Sequence, residues 1–242
     1  MARKAKLSCR VYQGEDAPEQ VLNAMWRLRL DFLHLKRDES EDRQRFTALL
    51  RKPHTQLLTF WDATGALQGF FTLAFNPVSR EGRKALLLHS KYYYVRPAFR
   101  GHPKITSAAW RLLPGVIMRY GVRRLYFVAF SFPTSFVSLH RTFGRVMVLQ
   151  DAATPEWERL VLNDYVAGQA GQDWDEGAKL IRNQNVPFGE DRPASRSVAT
   201  LRERYEALNP EWEQGCSLPI MMKFDLPTIK AVLHNNVRRA LR

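Results

Sequence analysis

Apolar and polar positions alternate along Leu7–Gln13, with Leu7, Cys9 and Val11 set against Ser8, Arg10 and Tyr12. A period of two predicts a half-buried strand, which Gly14 ends. After Pro18 the period changes. Val21, Leu22, Met25, Trp26, Leu28, Phe32, Leu33 and Leu35 recur at steps of three and four, with Arg27, Arg29 and Asp31 between them, and predict an amphipathic helix. A second helix follows over Asp38–Lys52, with Phe46, Leu49 and Leu50 as its buried stripe and Pro53 as its stop.

Gln56–Trp61 and Leu67–Phe75 read as the two strands of a hairpin, turned at Asp62–Gly65 where glycine supplies a positive φ. After a polar turn from Asn76 to Arg83, Lys84–Val95 predicts one long strand that stops at Arg96-Pro97. Pro103–Tyr120 predicts a helix kinked at Pro114-Gly115 and ended by Gly121. Arg123–Phe132 is nearly continuous in apolar residues, the pattern of a strand covered on both faces. A short helix over Ser135–Phe143 and a strand at Val146–Gln150 come next, then a polar stretch, Thr154–Tyr205, with helical pieces around a loop at Asn183–Pro193. Leu218–Phe224 reads as the last strand and Leu226–Leu241 as a terminal helix. The expected organisation is a core over 1–150, a helical insertion over 151–210, and a strand and helix over 211–242 that complete the same domain.

Composition narrows the class. With 242 residues, 45% of them hydrophobic, the chain can bury a core, which excludes disorder as its main state. Its longest apolar runs, Ala85–His89 and Leu125–Phe132, fall far short of the roughly 20 residues that cross a bilayer. The opening MARKAKLSCR carries no apolar signal core, and Cys9 and Cys216 make neither a disulfide framework nor a metal-ligand spacing, so a cytoplasmic protein without a metal is expected. The net charge is +13, and 27 of the 37 basic residues are arginine, whose planar fork suits phosphate and carboxylate. Nucleic acid, a phosphorylated cofactor and an acidic carrier protein all remain open as anionic partners.

From Lys91 to Gly144 the order of elements and the residues together resemble the GNAT superfamily of acyl-CoA-dependent N-acyltransferases. Tyr94-Val-Arg-Pro-Ala-Phe-Arg-Gly101 is similar to the family's fourth strand and the phosphate-binding turn after it. Leu57–Gly69 is similar to its second and third strands, and Ser135–Gly144 to the helix after its fifth. The resemblance covers roughly two-thirds of the chain and puts the insertion between the family's sixth and seventh strands. It implies an α/β fold with a GNAT-like mixed, mostly antiparallel sheet, a central parallel strand pair splayed apart, helices on both faces, and a helical insertion before the last strand. It also implies transfer of an acyl group from a thioester donor, acyl-CoA or acyl carrier protein, to an amine, with no tightly bound cofactor.

By the same resemblance Tyr94, Val95, Arg96, Arg100, Gly101, His102, Lys104, Ile105, Thr106 and Ser135 would hold the donor. Where the family writes Arg/Gln-x-x-Gly-x-Gly/Ala, this chain has Arg100-Gly-His-Pro-Lys-Ile105, with Pro103 and Ile105 at the two glycine positions. A pyrophosphate is held by main-chain N–H groups at a helix N-terminus, and glycines let it come close. Pro103 has no N–H to give and Ile105 adds a side chain, while Lys104 and the hydroxyls of Thr106 and Ser107 offer charge and donors in exchange.

The resemblance assigns the Val95 amide to the oxyanion and puts His140 where the family has a tyrosine that protonates the leaving thiolate, a step within reach of imidazole. His89, on one strand face with Lys91, Tyr93 and Val95 by the period of two, is a candidate general base, with Glu81 a weaker one. Of Tyr92, Tyr93 and Tyr94, alternation predicts at least one in the core and at least one on the other face. The insertion, with Trp157, Leu160, Tyr165 and Trp174, suits a cover for a long acyl chain, a homodimer arm or plain packing. The competing class is a catalytically inactive GNAT-like binding module that uses an Arg-rich face, such as Arg119–Tyr126, to hold nucleic acid or an acidic protein.

Overall fold

A computed structural model describes residues 6–121, 124–188 and 196–230. Strand β1 (Ser8–Gln13) pairs antiparallel with β3 (Thr55–Trp61), from Ser8 opposite Trp61 to Gln13 opposite Gln56. Between them α1 (Glu19–Leu30) stops earlier than its apolar pattern predicts. The N–H groups of Asp31 and Phe32 close on the carbonyls of Leu28 and Arg29 in tight three-residue turns, and Leu33–His34 is then extended as β2. α2 (Glu39–Leu50) opens as expected, because the Asp38 carboxylate accepts from the N–H of Ser40 at 2.8 Å and of Glu41 at 3.4 Å.

β3 turns into β4 (Leu67–Arg80) at Asp62, whose carboxylate accepts from the N–H groups of Thr64 and Ala66 at 2.9 and 3.0 Å. The predicted polar turn at Asn76 is strand instead: β4 continues to Arg80 and reverses at Glu81-Gly82, both at positive φ, into β5 (Arg83–His89). The strand predicted over Lys84–Val95 is also two strands. The chain breaks at Ser90–Tyr92 and resumes as β6 (Tyr93–Val95) on β4, with Val95 opposite Gly69 and Tyr94 opposite Phe70. Thr72 makes the break, since its N–H donates to the Tyr92 carbonyl at 3.0 Å and its hydroxyl accepts from the Tyr92 N–H at 3.2 Å.

α3 (Pro103–Tyr120) runs through Pro114 as one helix. β7 (Leu125–Ser131), α4 (Pro133–Phe143) and β8 (Met147–Val148) follow. The insertion contains α5 (Glu156–Ala170), the short strands β9 (Trp174–Asp175), β10 (Leu180–Ile181) and β11 (Val186–Pro187), and α6 (Arg196–Leu208). β12 (Leu218–Lys223) is the last strand, and a helix starts at Leu226. The rest of that terminal helix and 189–195 of the predicted loop lie outside the described residues.

Along the main sheet the order is β1-β3-β4-β5-β7-β12-β8, with β6 on β4 off this path, and β5–β7 is its parallel pair. The expected α/β class with a mixed, mostly antiparallel sheet is what the chain forms. The insertion sits between β8 and β12, which pair antiparallel with Ile220 opposite Val148.

The chain divides into two compact units, Met1–Pro77 with Leu86–Gly121 and Val78–Ala85 with Val122–Arg242. In the first, α1 and α2 cover one sheet face: Val21, Leu22, Met25, Trp26, Phe46 and Leu50 pack on Leu57 and Phe70. Each such side chain, fully buried, stabilises by about 1.5–3 kcal/mol. Tyr12 points to the same cluster, while Cys9, an odd number of residues earlier and so on the opposite face, has Arg111 and Lys104 of α3 as neighbours. In the second unit α4 and α6 lie on one face with Phe136, Tyr205, Leu218 and Ile220. α5 covers the other, where Glu158 accepts from the Tyr126 hydroxyl at 3.0 Å. Being covered twice, β7 needs the continuous apolar run that its sequence has. The Tyr205 hydroxyl donates to the Ser131 carbonyl at 2.8 Å and accepts from Asn209 Nδ2 at 2.9 Å, which ties α6 to β7.

Candidate functional site

The direction of one main-chain N–H organises the site in the first unit. Arg96 N–H donates to the Gln68 carbonyl at 2.9 Å and Thr72 N–H to the Tyr92 carbonyl at 3.0 Å, so residues 92, 94 and 96 turn their peptide groups toward β4. Val95, between them, turns its N–H and C=O the other way. β6 pairs with β4 alone, and among the described residues no strand occupies its second edge. The Val95 carbonyl accepts from Arg100 Nε at 3.3 Å, and its side chain is buried beside Gly69. A main-chain donor on an unpaired strand edge is the group that a developing oxyanion requires.

The loop after β6 is more occupied than its sequence suggests. Pro97–Phe99 form a single helical turn, and Gly101 sits at φ 73°, a conformation that L side chains rarely adopt. His102 caps α3: its Nδ1 accepts from Lys104 N–H at 3.2 Å and its carbonyl from Ile105 N–H at 2.9 Å. With Pro103 lacking an N–H, the first donors of the helix are already used. Ile105, expected beside the ligand, is corrected to a core residue at 3% exposure, because its side chain turns under the helix. Arg96 is paired with Asp31 at 2.6 Å. The side chain of Thr106 lies outside the described residues. Arg100 and Lys104 remain as exposed cations on either side of Gly101.

Tyr93 is the exposed member of its trio at 59%, whereas Tyr92 and Tyr94 pack toward α1 and α2. Tyr94 is therefore a support beneath β6. His89 is fully buried, and desolvation, with Lys91 and Lys52 nearby, drives its pKa well below the usual imidazole range. A neutral, solvent-excluded imidazole is chemically able to accept a proton but has no exposed path by which to do so. Lys91 stands in the strand break, half-buried, and burial with the charge of Lys52 pushes its pKa down to about 7. The break also removes Lys91 from the regular alternation that placed His89 and Val95 on one face.

His140 and Ser135 belong to the second unit. His140 is half-buried on α4, its ring 6.1 Å from that of Phe136, and burial followed by the charge of Arg204 lowers its pKa. Ser135 stands at the start of α4, where its hydroxyl accepts from Phe132 N–H at 2.9 Å and donates to the Phe132 carbonyl at 2.8 Å. Among the described residues no group of three His, Cys, Asp or Glu could hold a metal ion. No helix of the described residues is long and apolar enough to cross a membrane.

Pattern reading set Arg29 among the polar positions of α1, yet it is 3% exposed and bonded through Nη1 to Asp42 Oδ2 at 2.5 Å. A signal was present. Arg29 follows Leu22 and Trp26 at helical spacing, and Asp42 precedes Phe46 by one turn, so both charges fall on apolar stripes.

No protein-family model and no curated protein matches the chain. Solved structures overlap it in part. An acyl-CoA N-acyltransferase from Pseudomonas aeruginosa is 17% identical at a TM-score of 0.42, covering 60% of this chain and 92% of its own. The aminoglycoside 6'-N-acetyltransferase AAC(6')-IG from Acinetobacter haemolyticus is 15% identical at 0.41, covering 57% and 90%. A probable N-acyltransferase from Enterococcus faecalis V583 is 18% identical at 0.42, and this chain spans only 36% of it. At such identities and overlaps the chemistry has to be read from the side chains of this chain.

Proposed function

We propose that the chain is an N-acyltransferase that moves an acyl group from a thioester donor to an amine. The observation that supports it most is the Val95 N–H, directed off the edge of a three-residue strand that no strand of the described residues pairs, at the entrance to the Arg100–Lys104 turn. The amine nitrogen attacks the thioester carbonyl, the Val95 N–H stabilises the oxyanion, the carbon–sulfur bond breaks, and the amine proton leaves to a base while the thiolate departs.

The occupied start of α3 bears on the donor. Its main-chain donors are committed to His102, leaving Arg100, Lys104 and the Gly101 region to meet phosphate. That set suits the single phosphate of acyl-pantetheine on a carrier protein better than the pyrophosphate of coenzyme A, and a chain of charge +13 suits an acidic carrier. The test is thiol release from acyl-CoA and from acyl carrier protein, each with a panel of primary amines. Amine-dependent release is expected with both donors and faster with the carrier. Absence of release from either overturns the proposal.

A further inference from the structure

We propose that the last turn of α1 is a clamp on β6, with Arg29 and Asp31 as positioning residues that fix the direction of the Val95 N–H; the inference rests on the acyl-transfer reading of that group. β6 is three residues long and, among the described residues, bonded on one edge only, so the ladder alone sets its direction weakly. Side chains from α1 hold it at both ends.

The upstream hold is Arg29. Its guanidinium is bonded to Asp42 of α2 and lies 4.9 Å from the Trp26 ring, 5.2 Å from Phe46 and 5.6 Å from Tyr92. Tyr92 stacks on Tyr94 at 6.3 Å, and Tyr94 meets Phe32, the residue after Asp31, at 5.6 Å. A buried guanidinium is costly unless its charge is paired and its faces are covered, and here both conditions are met by residues that also touch the tyrosines flanking the site. The downstream hold is Asp31, the cap of α1, whose Oδ2 is 2.6 Å from Nη2 of Arg96. Val95 lies between the two holds. Asp42 joins α2 to the same group. A half-exposed ion pair usually contributes little to stability, so the Asp31–Arg96 pair is better understood as fixing orientation than as fixing the fold.

The test uses the full chain with selectively 15N-labelled valine. In the wild type the Val95 amide order parameter is expected near the rigid value of about 0.85, and in Asp31→Asn below about 0.6. Thiol-release kcat is expected to fall about tenfold in that variant with donor KM within twofold, since orientation and not affinity is lost. The charge swap Asp31→Arg with Arg96→Asp is expected to restore both readouts. Arg29→Met is expected to disturb the same amide, but Asp31→Asn, on the surface, decides the matter if Arg29→Met does not fold. An unchanged order parameter at Val95 in Asp31→Asn overturns the clamp. Absence of thiol release in the wild type overturns the underlying acyl-transfer reading instead, and the two failures are told apart by the relaxation data.

Discussion

Gly69 faces Val95 so closely that a Cβ at position 69 would lie 3.0 Å from Val95 Cγ2, 3.0 Å from the Tyr94 carbonyl oxygen and 3.2 Å from Val95 Cα. Two of those atoms are main chain and cannot rotate away. Gly69→Ala is therefore expected to push β6 off β4, costing about 1–3 kcal/mol by overpacking and lowering kcat by more than tenfold. Urea unfolding beside a thiol-release assay checks both. A variant as stable and as active as the wild type would show that β6 tolerates displacement.

His102 competes with the ligand for the first N–H of α3. His102→Ala removes the cap and is expected to cost about 1 kcal/mol of stability while freeing the Lys104 N–H for phosphate. Coenzyme A affinity, measured by calorimetry, should rise severalfold. A fall in affinity would mean that the imidazole is itself a phosphate contact.

Two neighbouring bases should make stability depend on pH in the same direction. A base whose pKa is lower folded than unfolded binds fewer protons in the folded chain between the two values, so stability rises with pH there. For Lys91 the window runs from about 7 to about 10.5; the penalty is complete below it and gone above it. For His89 stability is lost as pH falls below about 6.5. Burial raises the pKa values of Tyr92 and Tyr94, so above about 10 the unfolded chain loses protons first and stability turns down again. Unfolding of the wild type from pH 5 to 10 should show the rise, Lys91→Met should flatten it above 7, and His89→Gln below 6.5. Parallel curves for all three would contradict the assignment.

His140 is half-buried, with its ring 6.1 Å from that of Phe136 and tilted to it, so His140→Ala is expected to fold normally, and the role that the resemblance implies predicts a fall in kcat of about 100-fold. Unchanged turnover removes His140 from the mechanism.

Much of this architecture is legible in the pattern of residues. The periods of two and 3.6 locate β1, α2, the β3–β4 hairpin, α3, β7, α4 and β12 within a few residues, because each has one buried face or two. What fails to show is set by single polar contacts between distant segments. Thr72 splits the strand predicted over Lys84–Val95 by bonding Tyr92 from twenty residues away. Ile105 reads as a replaced glycine and is core, and the bonds of Ser135 to Phe132 carry no signal in the pattern. Arg29 reads as solvent-facing because a charge on a helix usually is, and only its partner on α2 makes burial tolerable. Short strands of the insertion, two residues each, carry no period at all.

The most direct test follows the Val95 amide of the 15N-valine-labelled protein while a non-reactive thioether or amide analogue of an acyl-pantetheine donor is added. The Val95 resonance is expected to move downfield and saturate with analogue concentration, as a donor that gains an acceptor does, with little change at valines of the second unit such as Val161 and Val166. Saturable binding that leaves the Val95 resonance in place would contradict its assignment as the oxyanion donor.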